Sequence, residues 1–165
     1  MLPKCYLSSK SVSLLKEIDS TQKKFYQEKY NSNEPLSYSL LRHKIFNSKK
    51  MINFLNTTDT IIIFHSHDIQ TANNYGSIWS SNESYNFESN SGSFELKKEE
   101  CYYSDFIINK IISKDFKSIK NTEEKESSLL GGSNVDVILI IKKNKTNEIT
   151  SFAFNEFFSS LRPIN

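Results

Sequence analysis

The sequence predicts an α+β fold, a mainly antiparallel twisted sheet with helices packed on one side. Residues 60–66 and 134–142 are nearly uninterrupted apolar runs rich in Ile and Val, the mark of buried central strands. Residues 70–100 alternate in short pieces separated by Asn, Ser and Gly, as an antiparallel meander does. The order helices, strands, helices, hairpin, helix lacks the βαβα rhythm of a parallel sheet. At 165 residues the chain is long enough for one core and short for two, so a single domain over 1–165 is expected.

In chain order, Val12, Leu14, Leu15, Ile18 and Phe25 follow Ser11 at helical spacing, predicting an amphipathic helix over 11–29 that stops before the turn cluster Asn31-Ser-Asn-Glu-Pro35. Residues 37–55 admit two readings. Leu40, Leu41, Ile45, Ile52 and Leu55 suit a helix, whereas Tyr38, Leu40 and Arg42 suit a short strand followed by a helix from about Ser48 to Asn56. The strand of residues 60–66 comes next, then pieces such as Ser77-Ile-Trp79 and Tyr85-Asn-Phe87 within the meander. Ser104 is placed to cap a helix carrying Ile107, Ile108, Ile111, Ile112 and Phe116. Thr122, Glu123 and Glu124 open another that Gly131-Gly132 ends. The strand 134–142 turns through Lys143-Asn-Lys-Thr-Asn147 into a hairpin partner with Ile149, Phe152 and Phe154, and Asn155 caps a last helix.

Charge excludes some classes of function. The 21 basic and 19 acidic residues are interspersed, giving no long-range field that would gather nucleic acid or an anionic membrane. Only Arg42 and Arg162 are arginines, which weighs against a phosphate-handling or base-reading surface. Cys5 and Cys101 are too few and too far apart for a disulfide framework or a zinc site. No stretch approaches the ~20 apolar residues of a membrane span, and the N-terminus lacks a signal-peptide core. The chain therefore reads as cytoplasmic and not inserted in a membrane, or as periplasmic or lipid-anchored if a leader has been removed. Nothing in it calls for a cofactor: phosphate loop, GxGxxG and GxSxG patterns are all missing.

TIIIFHSHDI, residues 60–69, looks most like chemistry. On a strand, His65 and His67 share a face with Ile61 and Ile63, while Ser66 and Asp68 share the other, so neither histidine can activate the adjacent serine. Two histidines at i and i+2 can reach one metal, which makes a metal-dependent hydrolase built on His65 and His67 the alternative function. A metalloprotease family joins such a His-x-His pair to a following Ser-x-x-Asp, but Tyr75-Gly-Ser-Ile-Trp79 holds no aspartate at the required place. The preferred reading is non-enzymatic, with no catalytic or metal residue.

Tyr75, Trp79, Tyr85 and Phe87 are embedded in Ser, Asn and Gly, the composition of adaptable protein-recognition surfaces. Asn74-Tyr-Gly-Ser-Ile-Trp79, Ser84-Tyr-Asn-Phe87, Ile119-Lys-Asn-Thr-Glu-Glu124 and the Phe152-Ala-Phe-Asn-Glu-Phe-Phe158 ending together resemble small bacterial immunity proteins encoded beside polymorphic or secreted toxins. The resemblance implies a binding protein that neutralises a cognate toxin by direct contact. The expected partner-binding residues are Tyr75, Trp79 and Tyr85, with His67 and Asp68 at the edge.

Overall fold

A computed structural model describes residues 6–32, 36–68, 73–90, 93–119 and 134–155. Cα proximity divides the chain into two compact units, Met1–Thr60 with Ile140–Ser151, and Ile61–Leu139 with Phe152–Asn165.

The first unit contains the three N-terminal helices. Helix α1 (Ser9–Tyr30) buries Leu14, Leu15 and Ile18 along one stripe as the spacing predicts, whereas Val12, expected with them, is exposed and Phe25 half-buried. Its start lies earlier than expected. Ser8 is the N-cap, its hydroxyl accepting from Ser11 N at 3.1 Å, while Ser11 is buried inside the helix and donates to Asn56 Oδ1 at 2.7 Å. Asn31 ends the helix in the left-handed conformation, φ 48°, donating its N–H to Gln27 O. The two readings of residues 37–55 resolve into two helices, α2 (Leu36–Phe46) and α3 (Lys49–Thr57), with no strand at Tyr38–Arg42. Ser48 separates them by folding its hydroxyl back onto Ile45 O, 2.6 Å away. Phe46, Met51, Phe54 and Leu55 are buried, and Lys142 donates to the Leu55 carbonyl in the last turn of α3.

The strands β1 (Thr60–Asp68), β2 (Asn73–Trp79), β3 (Ser84–Asn90), β4 (Ser93–Lys98), β5 (Asn134–Lys142) and β6 (Asn147–Asn155) form one antiparallel sheet in the order β4-β3-β2-β1-β5-β6. The α+β fold and the meander followed by a hairpin are those the sequence predicts. Strand β1 explains its own composition: Ile61, Ile62, Ile63 and Phe64 are all buried, so both of its faces are covered and no alternation is required. Helix α4 (Asp105–Ile112) is capped by Ser104 as expected and buries Ile107, Ile108 and Ile111. Phe116 is not part of it; Lys114, at φ 58°, breaks the chain before another helical turn opens at residue 116. The helices expected after Thr122 and after Asn155 lie outside the described residues.

Candidate functional site

The β1–β2 register opposes His65 to Gly76, Ser66 to Tyr75 and His67 to Asn74, while β2–β3 opposes Gly76 to Phe87 and Ile78 to Tyr85. Directly opposed residues share a face. One face therefore carries Ile63, His65, His67, Asn74, Gly76, Ile78, Tyr85 and Phe87. The other carries Phe64, Ser66, Tyr75, Ser77, Trp79, Ser84, Asn86 and Glu88.

The histidine face is closed. His65 is 4% exposed and its ring meets Phe87 edge-on at 5.5 Å. That contact passes over Gly76, where a Cβ would lie 2.7 Å from the Phe87 ring and closer still to the Phe64 carbonyl, so no larger residue fits. Asn74 Oδ1 sits between the two histidines, 2.8 Å from His65 Nε2 and 3.2 Å from His67 Nδ1. An amide oxygen only accepts, so both ring nitrogens donate to it and neither presents a lone pair there. Among the described residues no three His, Cys, Asp or Glu side chains lie close enough together to hold a metal ion. Ser66 is buried on the opposite face, so the local Ser–His–Asp arrangement is excluded by register.

The other face is aromatic and only partly accessible: Phe64, Ser66, Ser77 and Asn86 are buried on it. Tyr75 and Trp79 project from it half-buried. Across it runs the segment after β4, residues 99–104, held by side chains of the sheet. Ser84 Oγ donates to Glu99 O at 2.5 Å, Asn86 Nδ2 to Glu100 O at 2.8 Å, and Tyr102 N to Ser77 Oγ at 3.3 Å. Ser77 in turn donates to Asn86 Oδ1 at 2.7 Å, and both are buried. This serine and asparagine resemble a reactive pair, but besides bonding each other they hold the backbone at Glu100 and Tyr102. Tyr103 completes the anchor, its ring stacked on Phe64 at 4.0 Å, and burial raises its pKa far above the ordinary tyrosine value.

The pinned segment leaves a cavity of about 430 Å³ lined by Trp79, Ser84, residues 100–106 and Ile108. Three accessible rings converge on it: Trp79, Tyr102 and Phe106, the last 55% exposed at the start of α4. A second hollow of about 350 Å³ lies along the same strands and takes Tyr75, Glu88 and Glu95 into its wall. Burial raises the pKa of Tyr102, and the Glu88 and Glu99 charges raise it further.

The expected partner-binding residues therefore separate. Tyr75 and Trp79 stand half-buried on the aromatic face. Tyr85 does not: it is 5% exposed, opposes Ile78 on the closed face, and donates its hydroxyl to Glu83 at 3.0 Å beneath Lys98. Its placement as an anchor is corrected by the register, since an alternating strand turns every second aromatic inward. His67 is half-buried on the closed face. Asp68 opposes Asn73 at the end of β1, and its side chain lies outside what the structure describes. The sequence reading missed Tyr102 and Phe106. The signal for Phe106 was present, because it falls off the apolar stripe set by Ile107, Ile108 and Ile111.

No described helix is long and apolar enough to cross a membrane. Comparison with models of known protein families, with curated protein sequences and with solved structures finds no match.

Proposed function

We propose that this chain is a non-enzymatic protein-binding protein, an immunity protein that neutralises a bacterial toxin by direct association. One observation carries the reading: Trp79, Tyr102 and Phe106 are accessible and line one cavity whose wall is held in place by side-chain hydrogen bonds. Aromatic anchors in pre-formed pockets dominate protein recognition, because they supply area at little entropic cost. Ser84 and the carboxylates around the rings supply the polar rim such interfaces have. Covering a toxin's working surface needs no catalytic group on the inhibitor. The compartment would follow the toxin: cytoplasmic for one acting inside the cell, periplasmic or lipid-anchored for a chain made with a leader.

The test is co-purification with the product of the neighbouring gene, followed by inhibition of that product at equimolar ratio. Trp79→Ala and Phe106→Ala should each weaken the complex by about 2 kcal/mol, roughly thirtyfold, while Tyr85→Phe leaves it intact. Unchanged affinity in folded Trp79→Ala protein would sink the placement. The rival hydrolase has its own readout: stoichiometric zinc or iron in untagged protein, lost in His65→Ala, would replace the binding reading.

A further inference from the structure

Resting on that protein-binding reading, we infer that the partner presents a basic segment, lysines or arginines flanking an apolar side chain, to the Tyr75–Trp79 face and its cavity. The chain as a whole is formally +2, yet this face carries the opposite sign. Glu88 and Glu95 are both exposed and sit directly opposite one another across β3 and β4. Like charges in that position destabilise a strand pair. Lys97 offers partial relief, 3.4 Å from Glu95, and its pKa is raised by Glu95 first and then by Glu99 and Glu88, so one ammonium serves three carboxylates. Glu100 and Asp105 add two more at the cavity wall. Lys110, beside Phe106, is already bound to Asp115 at 2.8 Å.

An array that repels itself while free, next to exposed rings, is complementary to a cationic chain carrying an apolar anchor. The same arrangement does not suit a metal ion, because among the described residues no three of these carboxylates close on one point. Guanidinium or ammonium groups would meet Glu88, Glu95 and Glu99, with their stems or an adjoining apolar side chain against Trp79 and Phe106. The alternation of strands sets the reach: Tyr75 and Trp79 are four residues apart on β2, roughly 13 Å, which an extended segment spans in a few residues.

Trp79 is the single tryptophan of the sequence and reports on the cavity directly. The full chain is titrated, following Trp79 emission, with three short tryptophan-free peptides that share leucine and phenylalanine positions and carry Lys/Arg, Ser or Glu between them. The basic peptide is expected to shift the emission at low salt, with the shift abolished near about 0.5 M salt. Glu95→Lys should weaken it about tenfold without lowering the melting temperature. The serine peptide should bind more weakly and the glutamate peptide not at all. Equal, salt-independent binding of the basic and serine peptides overturns the charge inference and leaves the aromatic cleft standing. Silence from all three overturns both the inference and the location of the binding surface. A shift produced by calcium chloride alone, or self-association abolished by salt, assigns the face to an ion or a second copy and also overturns the inference.

Discussion

The charges of α1 and α2 and those of β3 and β4 are organised in opposite ways. Between the helices, Asp19 holds Arg42 Nη2 at 2.7 Å and His43 Nε2 at 2.7 Å, and Arg42 Nη1 donates to Gln22 Oε1 at 2.7 Å. Arg42 is 3% exposed, so its charge is matched where it is buried. On the strands, Glu88 faces Glu95 in solvent, and Lys97 approaches Glu95 at 3.4 Å. The first arrangement closes on itself and holds helices together; the second leaves its electrostatics to be completed by something else. Being polar and clustered does not distinguish them; the opposite charge held against the buried guanidinium does, although Gln22 Nε2 is buried with no hydrogen-bond partner among the described residues.

The comparison predicts that disrupting the closed network is costly to stability and disrupting the open one is not. Arg42→Ala should have the largest effect, destabilising the protein by about 3 kcal/mol in urea unfolding, because it leaves the buried Gln22 amide oxygen without its donor and the partly buried Asp19 carboxylate with His43 alone. Loss of less than a quarter of that value would mean that the helical network is as loosely held as the strand cluster.

The same network gives a pH signature. Burial pushes the Asp19 carboxyl up, but hydrogen bonds from Arg42 and His43, with their charges, outweigh it and leave the pKa below the ordinary 3.8. A depressed folded-state pKa contributes stability above the unfolded value that is lost as pH falls through the folded one. Wild type should therefore lose stability below about pH 4 more steeply than Asp19→Asn. At neutral pH the variant should be the less stable, and the two curves should converge in acid. Parallel curves would remove Asp19 as the responsible group.

A smaller loss is expected at the histidine face, which belongs with the closed networks. Asn74→Ala removes the shared acceptor of His65 and His67 and should cost about 1–2 kcal/mol, with β2 still paired to β1. Thermal melting and histidine ring resonances measure both consequences. An unchanged melt would mean that Asn74 is incidental to the two rings.

How much of this was legible in the sequence depends on whether the controlling contact was local. β1 announced itself because four consecutive apolar residues need cover on both faces, and α4 because Ser104 stands at the right distance from its apolar stripe. The break between α2 and α3 was not legible, since it has no Gly or Pro and depends on Ser48 turning back to Ile45. The start of α1 at Ser9 rather than Ser11 was not legible, because the bond from Ser11 to Asn56, far along the chain, draws Ser11 into the buried helix. The site divided in the same way. Tyr75 and Trp79 stood out in the sequence by their Ser- and Asn-rich setting, and the separation of His65 from Ser66 followed from alternation alone. Tyr85 was misplaced because its face depends on the register between β2 and β3, which starts from a turn at Ser80 and Glu83. Tyr102 enters the site only through bonds from Ser84, Asn86 and Ser77 to a segment up to 25 residues away.

The weakest expected effect on stability is also the most discriminating. Glu95→Lys places a cation opposite Glu88 and removes the like-charge pair while giving up the exposed ion pair with Lys97, so the two effects offset and the melting temperature should stay within about 1 °C of wild type or rise slightly. A residue kept for folding would not behave in this way. The carboxylate opposes Glu88 at the exposed edge of the sheet, and alternation places it on the same face as Tyr75 and Trp79. If the melting temperature rises while the basic peptide loses its hold on Trp79, stability and binding are set against each other at that position, the expected relation when a surface is shaped for a partner. If instead the substitution lowers the melting temperature by several degrees, the carboxylate is part of a satisfied network like that of Asp19, and the distinction between the closed and open charge clusters fails.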